Sequence, residues 1–100
     1  MYARKVSLCL KSDFVSQFLE KVEYEVIPLL RKQRGYLDQL IIVSETGNLV
    51  YVYTFWESGE AAERYDRTTL PMLSQLLAEV VVGELNTHPF GGLRGRLSGA

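Results

Sequence analysis

Four side chains in this 100-residue sequence have types and positions that could do chemistry: Trp56, Tyr65, Asp66 and His88. Trp56 is the last bulky residue of an apolar run and stands just before a helix start, a place where a side chain borders a cleft. Its ring can stack on a flat substrate and its indole N–H can donate; the plainer alternative is a core tryptophan whose N–H meets a backbone carbonyl. Tyr65, a turn and a half into the following helix, either lines the same cleft as a substrate contact or simply packs. His88 is the one side chain whose ordinary pKa lies near neutrality, so it is a candidate base, or else an exposed histidine at a strand end. Asp66 serves as a base only if it points inward; otherwise it is a solvated helix carboxylate. The single cysteine, Cys9, excludes an internal disulfide and reads as a small buried hydrophobe. One His and one Cys give no metal-binding spacing, and neither metal nor cofactor is expected.

Composition narrows the setting. With 47% apolar residues and a formal charge of −1, the chain reads as one domain with one core and no basic face to hold a polyanion. The apolar stretch after Arg4 and Lys5 is short and broken by Ser7 and Lys11, so no signal segment or membrane span is expected, and a cytoplasmic location is.

The elements that must position these residues follow from periodicity. Tyr2 to Leu10 alternates as a first strand, with Val6, Leu8 and Leu10 on one side. Ser12 or Asp13 is expected to cap a helix whose stripe is Val15, Phe18, Leu19, Val22, Val26, Leu29 and Leu30, ending near Gln33. Pro28 should bend it near Tyr24. Tyr36 to Glu45 is a second strand, and Thr46-Gly47-Asn48 predicts a hairpin to a third, Leu49 to Trp56. Only Thr54 is polar in that third strand, as in a strand buried on both faces. Ser58 predicts the N-cap of a second helix, which Thr68-Thr69-Leu70-Pro71 interrupts before a new piece carries Leu73, Leu76, Leu77 and Val80. Val81 to Thr87 completes the set, with Gly83 marking a bulge. The domain is placed at residues 1–90 and a mobile Gly-rich tail at 91–100, where Arg94 and Arg96 read as solvated charges.

The order strand, helix, strand, strand, helix, strand is the α+β ferredoxin-like βαββαβ arrangement: a four-stranded antiparallel sheet with two helices on one face. Right-handed crossovers put both helices on the same side and leave the other face bare. Leu49, Tyr51, Tyr53 and Phe55 lie on the opposite parity from Trp56, so Tyr51, Tyr53 and Phe55 are expected at a two-fold interface where a second copy covers the apolar face. The same aromatic spacing imitates RNA-recognition sheets, but the basic residue and glycines of those domains are missing, and no nucleic-acid partner is expected.

On Pro28 to Gly35, on Thr54-Phe55-Trp56 and on Trp56-Glu57-Ser58-Gly59-Glu60-Ala61 leading to Tyr65, the chain resembles the antibiotic biosynthesis monooxygenase family of dimeric α/β-barrel proteins, over residues 2 to 90. The resemblance implies a homodimer with a cleft between sheet and helices in each subunit. In enzymatic members it implies oxidation of a phenolic aromatic ligand by O₂ without metal or flavin. Trp56 carries over by position. Related haem-degrading members have a histidine where a gap-free count puts Asp66, and quinone-forming members have an asparagine where Val52 stands, so this chain departs from both patterns. Such chemistry needs a dry pocket, a group that takes the phenol proton and donors for the developing negative oxygen. A non-catalytic, dimeric ligand-binding module of the same fold is the alternative.

Overall fold

The computed structural model describes residues 1–92 in backbone and 1–88 in side chain. Strands β1 (Tyr2–Leu10), β2 (Tyr36–Val43), β3 (Leu49–Trp56) and β4 (Val81–Gly92) form one antiparallel sheet in the order β2-β3-β1-β4. The helical segments are α1 (Val15–Lys21), α2 (Ile27–Arg31), α3 (Gly59–Arg64) and α4 (Leu70–Leu77). This is the ferredoxin-like α+β arrangement. β4 continues to Gly92 instead of stopping at Thr87, and the remainder of the expected tail lies outside the described residues. Among the described residues no helix is long and apolar enough to cross a membrane.

Each helical arm carries the same device. A π-helical turn, Val22–Val26, joins α1 to α2, and another, Tyr65–Thr69, joins α3 to α4. Each turn ends two residues before a proline, Pro28 or Pro71. A proline cannot donate to the carbonyl four residues back and presses its ring against it, and a widened turn ahead of the proline absorbs both effects. The bend expected near Tyr24 takes this form. So does the break expected at Thr68 to Pro71: the second arm widens there but runs on, because Tyr65, Thr69, Leu73 and Leu77 all stay buried against the sheet. Ser58 caps α3 as expected, its hydroxyl accepting the Ala61 N–H at 3.1 Å. Neither Ser12 nor Asp13 caps α1; Asp13 takes a left-handed φ of 64° and Phe14 occupies the N-cap without a side-chain bond.

Alternation along β3 sorts the sheet into two faces. Val50, Val52, Thr54 and Trp56 are buried under the helices, while Leu49, Tyr51, Tyr53 and Phe55 are only half-buried on the far side. β3 is therefore covered on one face within the chain. From the arms, Phe18, Val22, Val26 and Leu30 meet Ala62, Tyr65, Leu73 and Leu77 over Val6 and Leu8. The far face presents Leu40, Ile42 and Val82, about half-exposed, with Cys9 opposite Val82. Cys9 is exposed in the single chain, contrary to the buried position expected from its chemistry, because its parity along β1 puts it on this uncovered side. Gly83 has φ 73° inside a register shift of β4 against β1, the bulge its position predicts.

Candidate functional site

Three aromatic rings meet under the second arm. Trp56 is fully buried at the end of β3; Tyr65 packs on it at 4.8 Å between ring centroids, and Tyr36 meets it edge-on at 5.8 Å. Tyr36 reaches this face through an irregularity in β2. The register shifts between Tyr36 and Asp38, so Tyr36 pairs with Trp56 while Gln39 pairs with Thr54. Three positions apart, the two would point to opposite faces of a regular strand; the extra residue brings both under the helices.

Cross-strand register then builds a polar row beside the rings. Gln39, Thr54 and Arg4 lie opposite one another on β2, β3 and β1, all on the helix-covered face. Thr54 Oγ1 accepts the Trp56 indole N–H at 3.0 Å. Arg4 Nε donates to both carboxylate oxygens of Asp66, at 3.2 and 2.9 Å, and Arg4 Nη1 donates to the Ala3 carbonyl at 3.2 Å. This pair ties β1 to the π turn that carries Tyr65, and with Asp66 about a third exposed it stands at the margin of the buried region.

Two buried polar atoms beside this row have no hydrogen bond: Gln39 Oε1 and the Tyr65 hydroxyl. Burial pushes the Tyr65 pKa well above the ordinary phenol value; Thr54 nearby and the Arg4 cation act the other way, and the Asp66 charge reinforces the rise. The Tyr65 and Thr54 hydroxyls approach without meeting in good hydrogen-bond geometry, and Thr54 already serves the indole. Tyr65 is thus a neutral donor in search of an acceptor. Burying such a group unpaired is costly, of order 1–3 kcal/mol, so it marks a place for a ligand oxygen or a water.

The space beside these groups is a seam between sheet and helices, lined by Tyr65, Phe18 and aliphatic side chains from Ile41 on β2 to Leu85 on β4. The expected aromatic-lined cleft is therefore mostly aliphatic. Its lining rings are Tyr65 and Phe18; Trp56 packs on Tyr65 outside the lining, and the strand positions that face the seam include Val6 and Leu8 of β1 and Val52 of β3. The void measures about 20 Å³, room for one water. A ring-sized ligand has to widen it.

The structure brings Trp56 and Tyr65 together and sets Asp66 beside them, held by Arg4. It does not bring in His88. That residue pairs with Lys5, on the parity of Tyr53, and is exposed on the uncovered face, so the sheet stands between its imidazole and Trp56. Tyr51, Tyr53 and Phe55 lie on that same far face, and Lys5 Nζ sits 4.7 Å above the Tyr51 ring. Arg4, Gln39 and Tyr36 escaped the sequence reading; Thr54, the lone polar residue of β3, was the visible signal. Among the described residues no three His, Cys, Asp or Glu side chains gather at one point.

Comparison with curated proteins finds no match. Among solved structures, NE2512, a protein of unknown function from Nitrosomonas europaea, superposes with a TM-score of 0.77 at 13% identity, over 99% of this chain and 95% of that one. A monooxygenase from the gene ActVA-Orf6 of Streptomyces coelicolor, in complex with the ligand nanaomycin D, gives 0.71 at 20% identity, over 96% and 90%. SnoaB, a cofactor-independent oxygenase from Streptomyces nogalater, gives 0.73 at 13%, over 97% and 96%. At these identities the likeness shows a shared fold. The model of one family, antibiotic biosynthesis monooxygenase, matches residues 1–70, from β1 through the π turn that holds Tyr65 and Asp66, and the chain belongs to that family.

Proposed function

We propose that this protein is a homodimeric, cofactor-independent monooxygenase that oxidises a phenolic aromatic ligand with O₂ in the seam between sheet and helices. The observation that carries the reading is the Tyr65 hydroxyl: neutral, buried, without a partner, and stacked beside Trp56 at the head of an apolar seam. In this reaction the phenol itself supplies all four electrons that reduce O₂. One oxygen atom of O₂ enters the ring as a second carbonyl, and the other leaves as water with the phenolic hydrogen and one ring hydrogen. Tyr65, backed by Trp56, forms one wall for the ring, the aliphatic seam excludes water, and Tyr65 donates to the oxygen that gains charge as the phenol proton leaves. Asp66, held by Arg4 next to Tyr65 in sequence, takes that proton. His88 has no part in this scheme, since it lies across the sheet.

The π turn at Tyr65–Thr69 is where the second arm's hydrogen-bond ladder is least regular, which suits it to lift and admit a ring. A second copy of the chain covers Tyr51, Tyr53, Phe55, Leu40 and Ile42, sheet against sheet. One observation favours a non-catalytic ligand-binding role for the same seam: the only base in the scheme is already committed to Arg4.

The test is O₂ uptake with a panel of polycyclic phenols. Oxygenation predicts turnover that falls about 10-fold or more in Tyr65→Phe, the loss of one donor to developing charge, and falls again in Trp56→Phe, with far-ultraviolet circular dichroism unchanged. Binding of the panel without O₂ uptake at any pH from 6 to 9 rejects oxygenation and leaves the binding module.

A further inference from the structure

Among the described residues Tyr65 is one of two orphans. The amide oxygen of Gln39 is also buried without a hydrogen bond, and the two flank Thr54: Gln39 beside it on β2, Tyr65 over it from the second arm. Their needs are complementary. Gln39 Oε1 can only accept, and the neutral Tyr65 hydroxyl has a proton to give. Thr54 between them is taken by the Trp56 indole, and the Arg4 guanidinium at the end of the row is engaged by Asp66 and by a backbone carbonyl.

We propose that Gln39 and Tyr65 form a two-point anchor for one neutral hydroxyl group on an otherwise apolar, ring-bearing ligand. In the bound resting state, before any proton is removed, the ligand O–H donates to Gln39 Oε1 and its oxygen accepts from the Tyr65 hydroxyl, so a single phenolic oxygen satisfies both orphans. Apart from the Tyr65 hydroxyl, the seam is lined by hydrocarbon and the Phe18 ring, and Gln39 stands beside it, across from Thr54, rather than in its lining. A carboxylate or phosphate is disfavoured: it has no proton for Gln39, and Arg4 already holds Asp66. Selectivity arises as it does wherever buried polar groups wait for a partner, because a ligand lacking the hydroxyl leaves both atoms unpaired. Gln39 is thus a specificity-determining residue. It stands on the face of Trp56 by regular alternation with Ile41 and Val43, and the irregularity of β2 brings Tyr36 to the same face. The inference deepens the proposed binding in the seam and rests on a ligand lying there, but it does not depend on oxygenation.

The experiment is an NMR titration of the full chain with 1-naphthol, 1-methoxynaphthalene and naphthalene, read at the indole N–H resonance of the chain's single tryptophan, Trp56. The wild-type protein should bind naphthol about 10- to 100-fold more tightly than naphthalene, with the ether between them. Gln39→Leu should weaken naphthol and spare the ether and the hydrocarbon, because only the O–H donates to Gln39. Tyr65→Phe should weaken naphthol and the ether alike and spare naphthalene, because both oxygens accept from Tyr65. Equal affinities for the three probes in the wild type, no binding of naphthol, or variants that weaken all three alike would each overturn the anchor. The two readings fail separately: this pattern without O₂ uptake removes the oxygenase and keeps the anchor, while O₂ uptake without the pattern removes only the anchor.

Discussion

Tyr65 links the packing of this molecule to the proposed chemistry. The hydroxyl is buried where it has nothing to bond, so its removal costs the folded chain little. Tyr65→Phe should leave the urea midpoint unchanged or raise it, by up to about 1 kcal/mol in stability, while depressing ligand binding. Trp56 is the opposite case. Its ring is fully buried between Tyr36 and Tyr65 with its N–H satisfied, and Trp56→Ala should cost about 3–5 kcal/mol in equilibrium unfolding. Tyr65 also predicts the alkaline behaviour. Burial raises its pKa in the folded state above the unfolded value of about 10, so the folded chain holds that proton more tightly. The associated stability is fully present below about pH 10 and drains as pH rises further. Tyr36, whose pKa burial also raises, contributes with the same sign. Urea midpoints measured from pH 8 to 11 should fall above pH 10, and fall less in Tyr65→Phe, where only Tyr36 remains of the pair.

At the scale of elements, the sequence announces the prolines and the structure decides what they do. Pro71 reads as a break because proline interrupts an isolated helix. In the folded chain, four buried side chains spaced along α3, the π turn and α4 hold that arm to the sheet as one piece, and the strain is spent in the widened turn. The loop before β2 is fixed by a different constraint. Gly35 has φ 85°, and a Cβ placed there would stand 2.5 Å from the Cβ of Ala61 at the start of α3, while the Gly35 carbonyl accepts the Glu57 N–H at 2.8 Å. Gly35→Ala meets both a left-handed backbone and a clash, and should lose of order 2–4 kcal/mol by urea unfolding. Adding Ala61→Gly should recover the clash component and leave about 1 kcal/mol of backbone strain.

For the whole molecule the uncovered sheet face is the governing feature. It presents half-buried rings and half-exposed aliphatic side chains across three strands, with Lys5 and the exposed His88 toward β4. If a second copy covers it, Ile42→Glu should shift sedimentation from dimer to monomer at micromolar concentration. The fold of each chain should change by less than about 1 kcal/mol, because Ile42 is 46% exposed there. A variant that sediments as the wild type does would remove the sheet-to-sheet dimer.

By itself the sequence determined the order and type of the elements, the hairpin at Gly47, the Ser58 cap and the two faces of β3. These follow from local periodicity and capping chemistry, which a few neighbouring residues encode. It also put Trp56 and Tyr65 at a strand-to-helix join, and the structure brings their rings together. The polar groups around them are set by tertiary contacts. Arg4 reaches Asp66 across 62 residues, Tyr36 gains its face from a register shift in β2, and His88 falls on the far side of the sheet from Trp56 through its pairing with Lys5. Pairing register and bulges are set by contacts between distant strands, and moving a strand by one residue exchanges its two faces, so no local pattern could have fixed which polar groups would meet.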